Sequence, residues 1–188
     1  IAHDITAQRQ AQAKLLLLER AVESSVNGVV IADAQAPDLP LIYVNPAFEE
    51  MTGYPSDEVL GRNCRFLQGG QSNQAELEIL RRALREQTDC NVILRNFRRD
   101  GSVFWNHLFV SPVRDAAGTV THYVGVQNDL TERRQVEAEL AYAANHDPVT
   151  GLPRYPILET ALASLLEHEG AEVSLLFIDL DRFHSINE

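Results

Sequence analysis

Three strand candidates in succession, at 90–98, 102–113 and 119–128, do most to limit the fold. "RRDGS" joins the first two with an Asp-Gly hairpin signal, and "RDAAGT" supplies the next turn, so the three run antiparallel. Upstream, "GVVIADA" and "LIYVN" are β-branched and apolar, divided by a Pro-containing loop at 35–40. "PAFEEMTGY" and "SDEVLG" read as short helices, the second with Ser56 as its N-cap. Asn73 and Glu76 form a capping box for a helix that runs to about Gln87. Two strands, several short helices and three antiparallel strands predict an α+β domain on a five-stranded sheet.

Strand parity then sorts side chains by face. Val92, Leu94 and Asn96 share one side of their strand, Phe104, Asn106, Leu108 and Val110 one side of theirs, and Tyr123, Gly125 and Gln127 one side of the last. Each strand thus sets a single carboxamide among apolar neighbours. A buried amide without a partner costs about 1–3 kcal/mol. The three amides can bond one another. Alternatively, a flat heterocycle with several carbonyl and N–H groups satisfies them together, with Gly125 permitting close approach.

The stretch "GRNCRFLQGG", residues 61–70, adds a thiol flanked by cations and amides. Overall charge is −11, which argues against general nucleic-acid binding. Yet residues 61–99 hold 8 of the 16 Lys+Arg, all Arg, against 4 acidic residues. Such an excess is either a solvated basic face or a site for a small anion, and the arginine fork suits phosphate. On the second reading Arg65 and Arg81 hold a phosphate, Asn96, Asn106 and Gln127 the polar edge of a ring, and Cys64 lies near that ring. The inventory describes a nucleotide-like cofactor with a thiol beside it. Cys64 and Cys90 are the only cysteines and have no framework spacing, which fits a cytosolic chain with reduced thiols. Cys90 reads as a small buried residue, and Trp105, His107 and His122 as strand-surface or packing residues.

Helices flank this domain. In "TAQRQAQAKLLLLERAVESSV" the positions Ala11, Leu15, Leu18, Val22 and Val26 form one apolar stripe. That helix (1–24) pairs with a copy of itself or packs on the next domain. "TERRQVEAELAYAANH" (131–146) carries Val136, Leu140 and Ala143 along one side and stops at "DPVTGLP". Residues 1–15 and 126–140 align without gaps at an offset of 125 and share six residues, which predicts a similar module upstream. The absence of an initiator Met points the same way, to a piece of a longer protein. A helix at about 155–168 and a buried strand "VSLLFIDLD" open a further domain. No apolar run approaches the ~20 residues of a membrane span, and the polar start is no signal peptide. The piece is expected to be cytoplasmic without membrane contact, whether or not the parent is anchored.

"GRNCRFLQ" resembles the signature of LOV (light-oxygen-voltage) domains, the blue-light-sensing branch of the PAS fold. The resemblance covers about residues 25–130 and extends to "NFRRDGSVFWN" and "YVGVQNDLT". It implies a PAS/LOV fold that binds flavin mononucleotide (FMN), with the adenine dinucleotide (FAD) admissible. By the same resemblance Cys64 is the photoreactive thiol that adds reversibly to flavin carbon 4a. Arg65 and Arg81 bind phosphate, Asn63 and Gln68 the ribityl chain or ring edge, and Asn96 and Asn106 the pyrimidine edge. Gln127 turns its amide when flavin N5 is protonated, a change from acceptor to donor that a carboxamide answers by exchanging its ends. The flanking helices become signalling helices of an expected homodimer. Many plant members carry Asn and Thr where this chain has Gly28 and Ala32, which alters the network near the flavin edge. A flavin PAS module that senses redox potential or cofactor occupancy is the principal alternative, and a PAS module for another metabolite or a partner protein a third.

"HDPVTGLPRYPILETAL" followed by "LLFIDLDRFHSINE" resembles the opening of a GGDEF domain, the diguanylate cyclase fold, over 147–188. Val149, Arg154 and Tyr155 are variants of the usual motif. The resemblance makes Asp179 a metal-binding carboxylate and Asn187 a guanine contact, with His184 where lysine is common; the neighbouring Asp181 reads more simply as a helix N-cap. This piece stops before the signature loop and is not expected to be an enzyme, whereas its parent would make or degrade cyclic di-GMP.

Overall fold

The structure, a computed structural model, describes residues 6–71, 73–167, 174–176 and 178. The chain divides into two compact units, Ile1–Arg134 and Gln135–Glu188. In the first, strands β1 (Gly28–Asp33), β2 (Leu41–Val44), β3 (Cys90–Phe97), β4 (Val103–Arg114) and β5 (Val120–Asp129) build one antiparallel sheet in the order β2-β1-β5-β4-β3. The expected five-stranded α+β architecture is present. The Asp-Gly hairpin closes where Arg98 N–H donates to Ser102 O at 2.9 Å, with Gly101 at a φ of 83° that a side chain would disfavour.

Helices α1 (Thr6–Glu23), α2 (Pro46–Thr52), α3 (Ser56–Val59) and α4 (Ala75–Glu86), with a 3₁₀ turn at Cys64–Gln68, complete this unit up to the start of α5 (Thr131–Asn145). Alternation along β3 and β4 sends Val92, Leu94, Phe104 and Val110 inward. Val92, Leu94 and Val110 join Leu77 and Ala83 of α4 in one apolar cluster, while Val30, Leu41, Phe48, Val59 and Leu67 make a second. Between the two clusters lies the space that matters for function.

Asn45 is fully buried and uses its whole amide. Its Oδ1 accepts from Val29 N–H (2.7 Å) and Phe48 N–H (3.1 Å), and its Nδ2 donates to Val22 O and Asn27 O, each at 3.0 Å. It therefore caps α2 while fastening the end of α1 to β1.

Both expected helix caps are corrected. Pro55, not Ser56, occupies the cap of α3, and Ser56 is the first helical residue, its N–H taken by the Glu49 carboxylate. No Asn73 capping box forms, because α4 begins after Gln74. Gln74 instead accepts from Arg95 N–H (2.7 Å) and donates to Arg95 O (2.9 Å). β3 is an edge strand, and this amide satisfies the backbone groups that an edge leaves open. The tertiary partner outcompetes the local cap.

α1 ends at Glu23, so Val26 falls outside the helical stripe and is 95 % exposed. Leu15, Leu16, Leu17 and Leu18 are all exposed as well. In the second unit, Asp147 organises the "DPVTGLP" turn. Its carboxylate accepts from Val149 N–H, Thr150 N–H and the Thr150 hydroxyl at 2.9–3.1 Å before α6 (Tyr155–Leu166) begins. Of the expected buried strand, residues 174–176 and 178 are exposed and pair with no strand among the described residues. The rest of it, with Asp179, Asp181, His184 and Asn187, lies outside the described residues.

Candidate functional site

A cavity of about 480 Å³ lies between the sheet, the 3₁₀ turn and α4. Its volume is within the usual range for small-molecule sites. All eight polar residues singled out in the first unit line it: Asn63, Cys64, Arg65, Gln68, Arg81, Asn96, Asn106 and Gln127. Most of the remaining wall is aliphatic, including Val30, Leu80, Leu84 and Leu108. On the floor Gly125 brings the backbone close, since a Cβ there would sit 2.9 Å from Val30 Cγ2.

The sheet amides bond one another in a chain. Asn106 Nδ2 donates to Asn96 Oδ1 at 2.9 Å and to Gln127 Oε1 at 2.8 Å. All three residues are at most 3 % exposed. Mutual bonding leaves one atom over: Asn106 Oδ1 is buried with no hydrogen-bond partner among the described residues. An unmet acceptor of this kind costs about 1–3 kcal/mol unless a ligand donor meets it.

Cys64 reaches the same place from the opposite wall. Asn63 caps the 3₁₀ turn through Oδ1, which accepts from Arg65 N–H at 2.9 Å, while buried Leu67 anchors the turn in the core. Gln127 Nε2 points at Cys64 Sγ over 3.9 Å. Burial pushes the thiol up to about 12, against a smaller opposing effect of the Gln127 contact. At neutral pH this sulfur is a protonated thiol, not a thiolate.

The two cations at the cavity are both engaged. Arg65 pairs with Asp38 at 2.5 Å, and Arg81 with Glu78 at 3.2 Å, a carboxylate that Arg85 also approaches at 3.5 Å. The arginine excess of 61–99 is therefore distributed among local partners: Arg99 meets Glu58, Arg98 meets Asp129, and Arg95 bonds Gln71. Sequence reasoning missed Asp38 and Leu39, which bring the β1–β2 loop to the cavity, and the Arg98–Asp129 pair at the end of β5, just before α5. Trp105 is on the strand surface as expected, but it also anchors α5. Its N–H donates to Thr131 Oγ1, its carbonyl accepts from Leu130 N–H, and its ring lies 4.3 Å below the Arg134 guanidinium.

Comparison with known proteins identifies the family and the fold. The family model described as "PAS domain" matches residues 26–132, and that described as "Diguanylate cyclase, GGDEF domain" matches 144–188. A bacterioopsin transcriptional activator of Halobacterium salinarum is 44 % identical over 137 residues, covering 73 % of this chain and 20 % of that protein. A blue-light photoreceptor of Listeria monocytogenes is 37 % identical over 140 residues, covering 74 % and 55 %. The chain thus spans only part of these relatives. Among solved structures, an RNA-binding light-oxygen-voltage receptor superposes with a TM-score of 0.62 at 42 % identity, over 77 % of this chain and 38 % of that one. The chain belongs to the PAS domain family, in its light-oxygen-voltage branch, and runs on into the start of a GGDEF domain.

Proposed function

We propose that the first unit binds a flavin, FMN with FAD admissible, and reports blue light through Cys64 and Gln127. The observation that carries this reading is the unmet Asn106 Oδ1, 1 % exposed in an apolar slot that also holds a thiol. An isoalloxazine ring suits such a slot: its apolar faces match the aliphatic walls, and its ring N–H matches the lone acceptor. Asn96 and Asn106 would hold the pyrimidine edge, Asn63 and Gln68 the ribityl side, and Arg65 and Arg81 the phosphate. A bound flavin supplies absorption of blue light and an electrophilic ring carbon for the thiol.

The protein's own part is positional. The capped 3₁₀ turn holds Sγ in place, and burial keeps its proton on until the sulfur reacts. Gln127 then responds to a change of donor and acceptor by exchanging the ends of its amide, which also alters its bond with Asn106. Because Gln127 lies two residues before Asp129, the change is delivered to the base of α5. The exposed leucines of α1 support a homodimer, and the GGDEF match supports an output through cyclic di-GMP in the parent protein. RNA binding belongs to the receptor named above; the −11 charge of this chain favours no polyanion. Among the described residues no helix is long and apolar enough to cross a membrane.

The test is an absorption spectrum of the purified protein before and after blue light. A band near ~450 nm that bleaches and recovers in the dark, and that in Cys64→Ala persists without bleaching, supports the reading. A yellow protein that does not bleach selects the redox or occupancy sensor. One that stays colourless with added flavin overturns both.

A further inference from the structure

The connection between β1 and β2 holds two consecutive non-glycine residues in the left-handed region, Asp38 at φ 69° and Leu39 at φ 50°. The leucine side chain forms no hydrogen bond to offset that conformation, and Leu39 N–H meets Ala36 O only at 3.4 Å, so the surroundings must hold it. They do so through cavity residues. Asn63 Nδ2 donates to Asp38 O at 2.5 Å, and Arg65 Nη2 donates to Asp38 Oδ1 at 2.5 Å. Asn63 Oδ1 meanwhile accepts from Arg65 N–H and Nε, which fixes the guanidinium beside the loop. Leu39 turns inward, lines the cavity and packs against the α4–β3 cluster.

Charge at this side of the cavity is nearly balanced as a result. Glu78 is shared between Arg81 and Arg85, but the Asp38 carboxylate is matched one to one with Arg65. Both partners of the Arg65 pair are 61 % exposed, so water screens it and exchange is easy. An anion that seeks Arg65 must share or displace Asp38. A ligand without a charged tail has no such competitor.

We propose that Asp38 is a specificity-determining residue that competes with the ligand's phosphate for Arg65, and so sets how far the cavity prefers phosphorylated flavins over riboflavin. This rests on the flavin reading and extends it to the choice among flavins. The lid made by Asp38 and Leu39 is then sensitive to that choice: phosphate on Arg65 releases Asp38, whereas riboflavin leaves the clamp closed.

The experiment measures equilibrium dissociation constants of FMN and riboflavin by fluorescence quenching, using the whole chain stripped of flavin. Asp38→Asn is the variant, because asparagine tolerates the left-handed conformation and keeps the backbone carbonyl that Asn63 bonds. FMN affinity should rise roughly two- to fivefold, the range an exposed ion pair supports, and riboflavin affinity should stay within twofold. The FMN gain should shrink in high salt. In an Arg65→Gln background the same Asp38→Asn change should produce no gain, since the shared partner is gone. An equal effect on both flavins, or a gain that persists without Arg65, overturns the role of Asp38 while leaving the flavin reading intact. Failure of both FMN and riboflavin to bind the unmutated protein overturns both readings.

Discussion

Arg98 and Asp129, 31 residues apart in sequence, meet at 2.5 Å where β5 passes into α5. Asp129 is bound on its other side too, its Oδ1 accepting from Thr131 N–H at 2.8 Å. Arg98 in turn bonds Met51 O at the end of α2 and lies 4.7 Å from the centre of the Phe104 ring. One guanidinium therefore ties α2, β4 and the foot of the exit helix together, two residues downstream of the cavity amide Gln127.

Arg98→Ala should loosen that foot. Each partner is about a quarter exposed, which places the loss between exposed and buried pairs, at about 1–2 kcal/mol. Hydrogen exchange over 129–145 should show weaker protection at the start of α5 in the dark variant, and a smaller difference between dark and lit protein. Unchanged protection would mean that Trp105 alone holds the helix.

The pH dependence of the same contact has a definite sign. Burial disfavours the Asp129 carboxylate, but the Thr131 and Arg98 bonds outweigh it and hold its pKa below the usual aspartate value. A depressed folded pKa stabilises the protein fully above the unfolded value of about 3.9 and fades as pH falls through the folded one. Protection of the α5 foot, corrected for intrinsic exchange, should be flat from pH 5 to 8 and decline below about pH 4. Asp129→Asn should remove that decline.

The legible parts of the molecule were those fixed by geometry within a strand. Alternation at 92, 94 and 96, at 104, 106, 108 and 110, and at 123, 125 and 127 puts the amides on one face whatever surrounds them. The cations and amides around Cys64 singled it out, and the resemblance of "GRNCRFLQ" gave it an expected role. It lies 63 residues from Gln127, however, and could not be joined to it by periodicity. Hidden features depend on competition between distant groups. Ser56 and Asn73 look like caps, yet Glu49 and the open edge of β3 redirect the chain around them. Nothing in "APDLP" marks Asp38 and Leu39 as left-handed, because no glycine stands there and the clamp on Asp38 comes from Asn63 and Arg65.

Asn106→Leu should expose the cost of the amide chain directly. It keeps the volume but removes the only described side-chain donor that meets both Asn96 Oδ1 and Gln127 Oε1. Each of the two orphaned acceptors costs about 1–3 kcal/mol, while removing the unmet Asn106 Oδ1 relieves one such cost, so the net loss is about 1–3 kcal/mol. Urea unfolding of the flavin-free protein should show that loss, and flavin affinity should fall with it. A change below about 1 kcal/mol would mean that water already serves these groups.

Cys64 should behave as an inert thiol until light acts. With its pKa at about 12, each unit above the ordinary value removes a further tenfold of thiolate. Alkylation by iodoacetamide at pH 8 should be at least about a hundredfold slower than in the unfolded chain. The linked stability is complete below the unfolded thiol pKa of about 8.5, and declines above it as the unfolded state loses its proton first. Fast alkylation in the dark would contradict the enclosed sulfur.

The four leucines of α1 decide how it assembles. Successive helical residues are ~100° apart, so Leu15 to Leu18 sweep about 300° around the axis, more than one neighbouring helix covers. All four are between 55 % and 69 % exposed within the single chain. Burying them takes helices on more than one side, which two chains can supply where one cannot. The intact protein should therefore run as a dimer in light scattering after size exclusion. Leu15→Glu combined with Leu18→Glu, which charges the Ala11–Leu15–Leu18–Val22 stripe, should make it monomeric while far-UV dichroism changes little. The same double change leaves the cavity residues untouched, so flavin binding should persist. A monomer before mutation would assign the leucines to a segment or partner outside this chain.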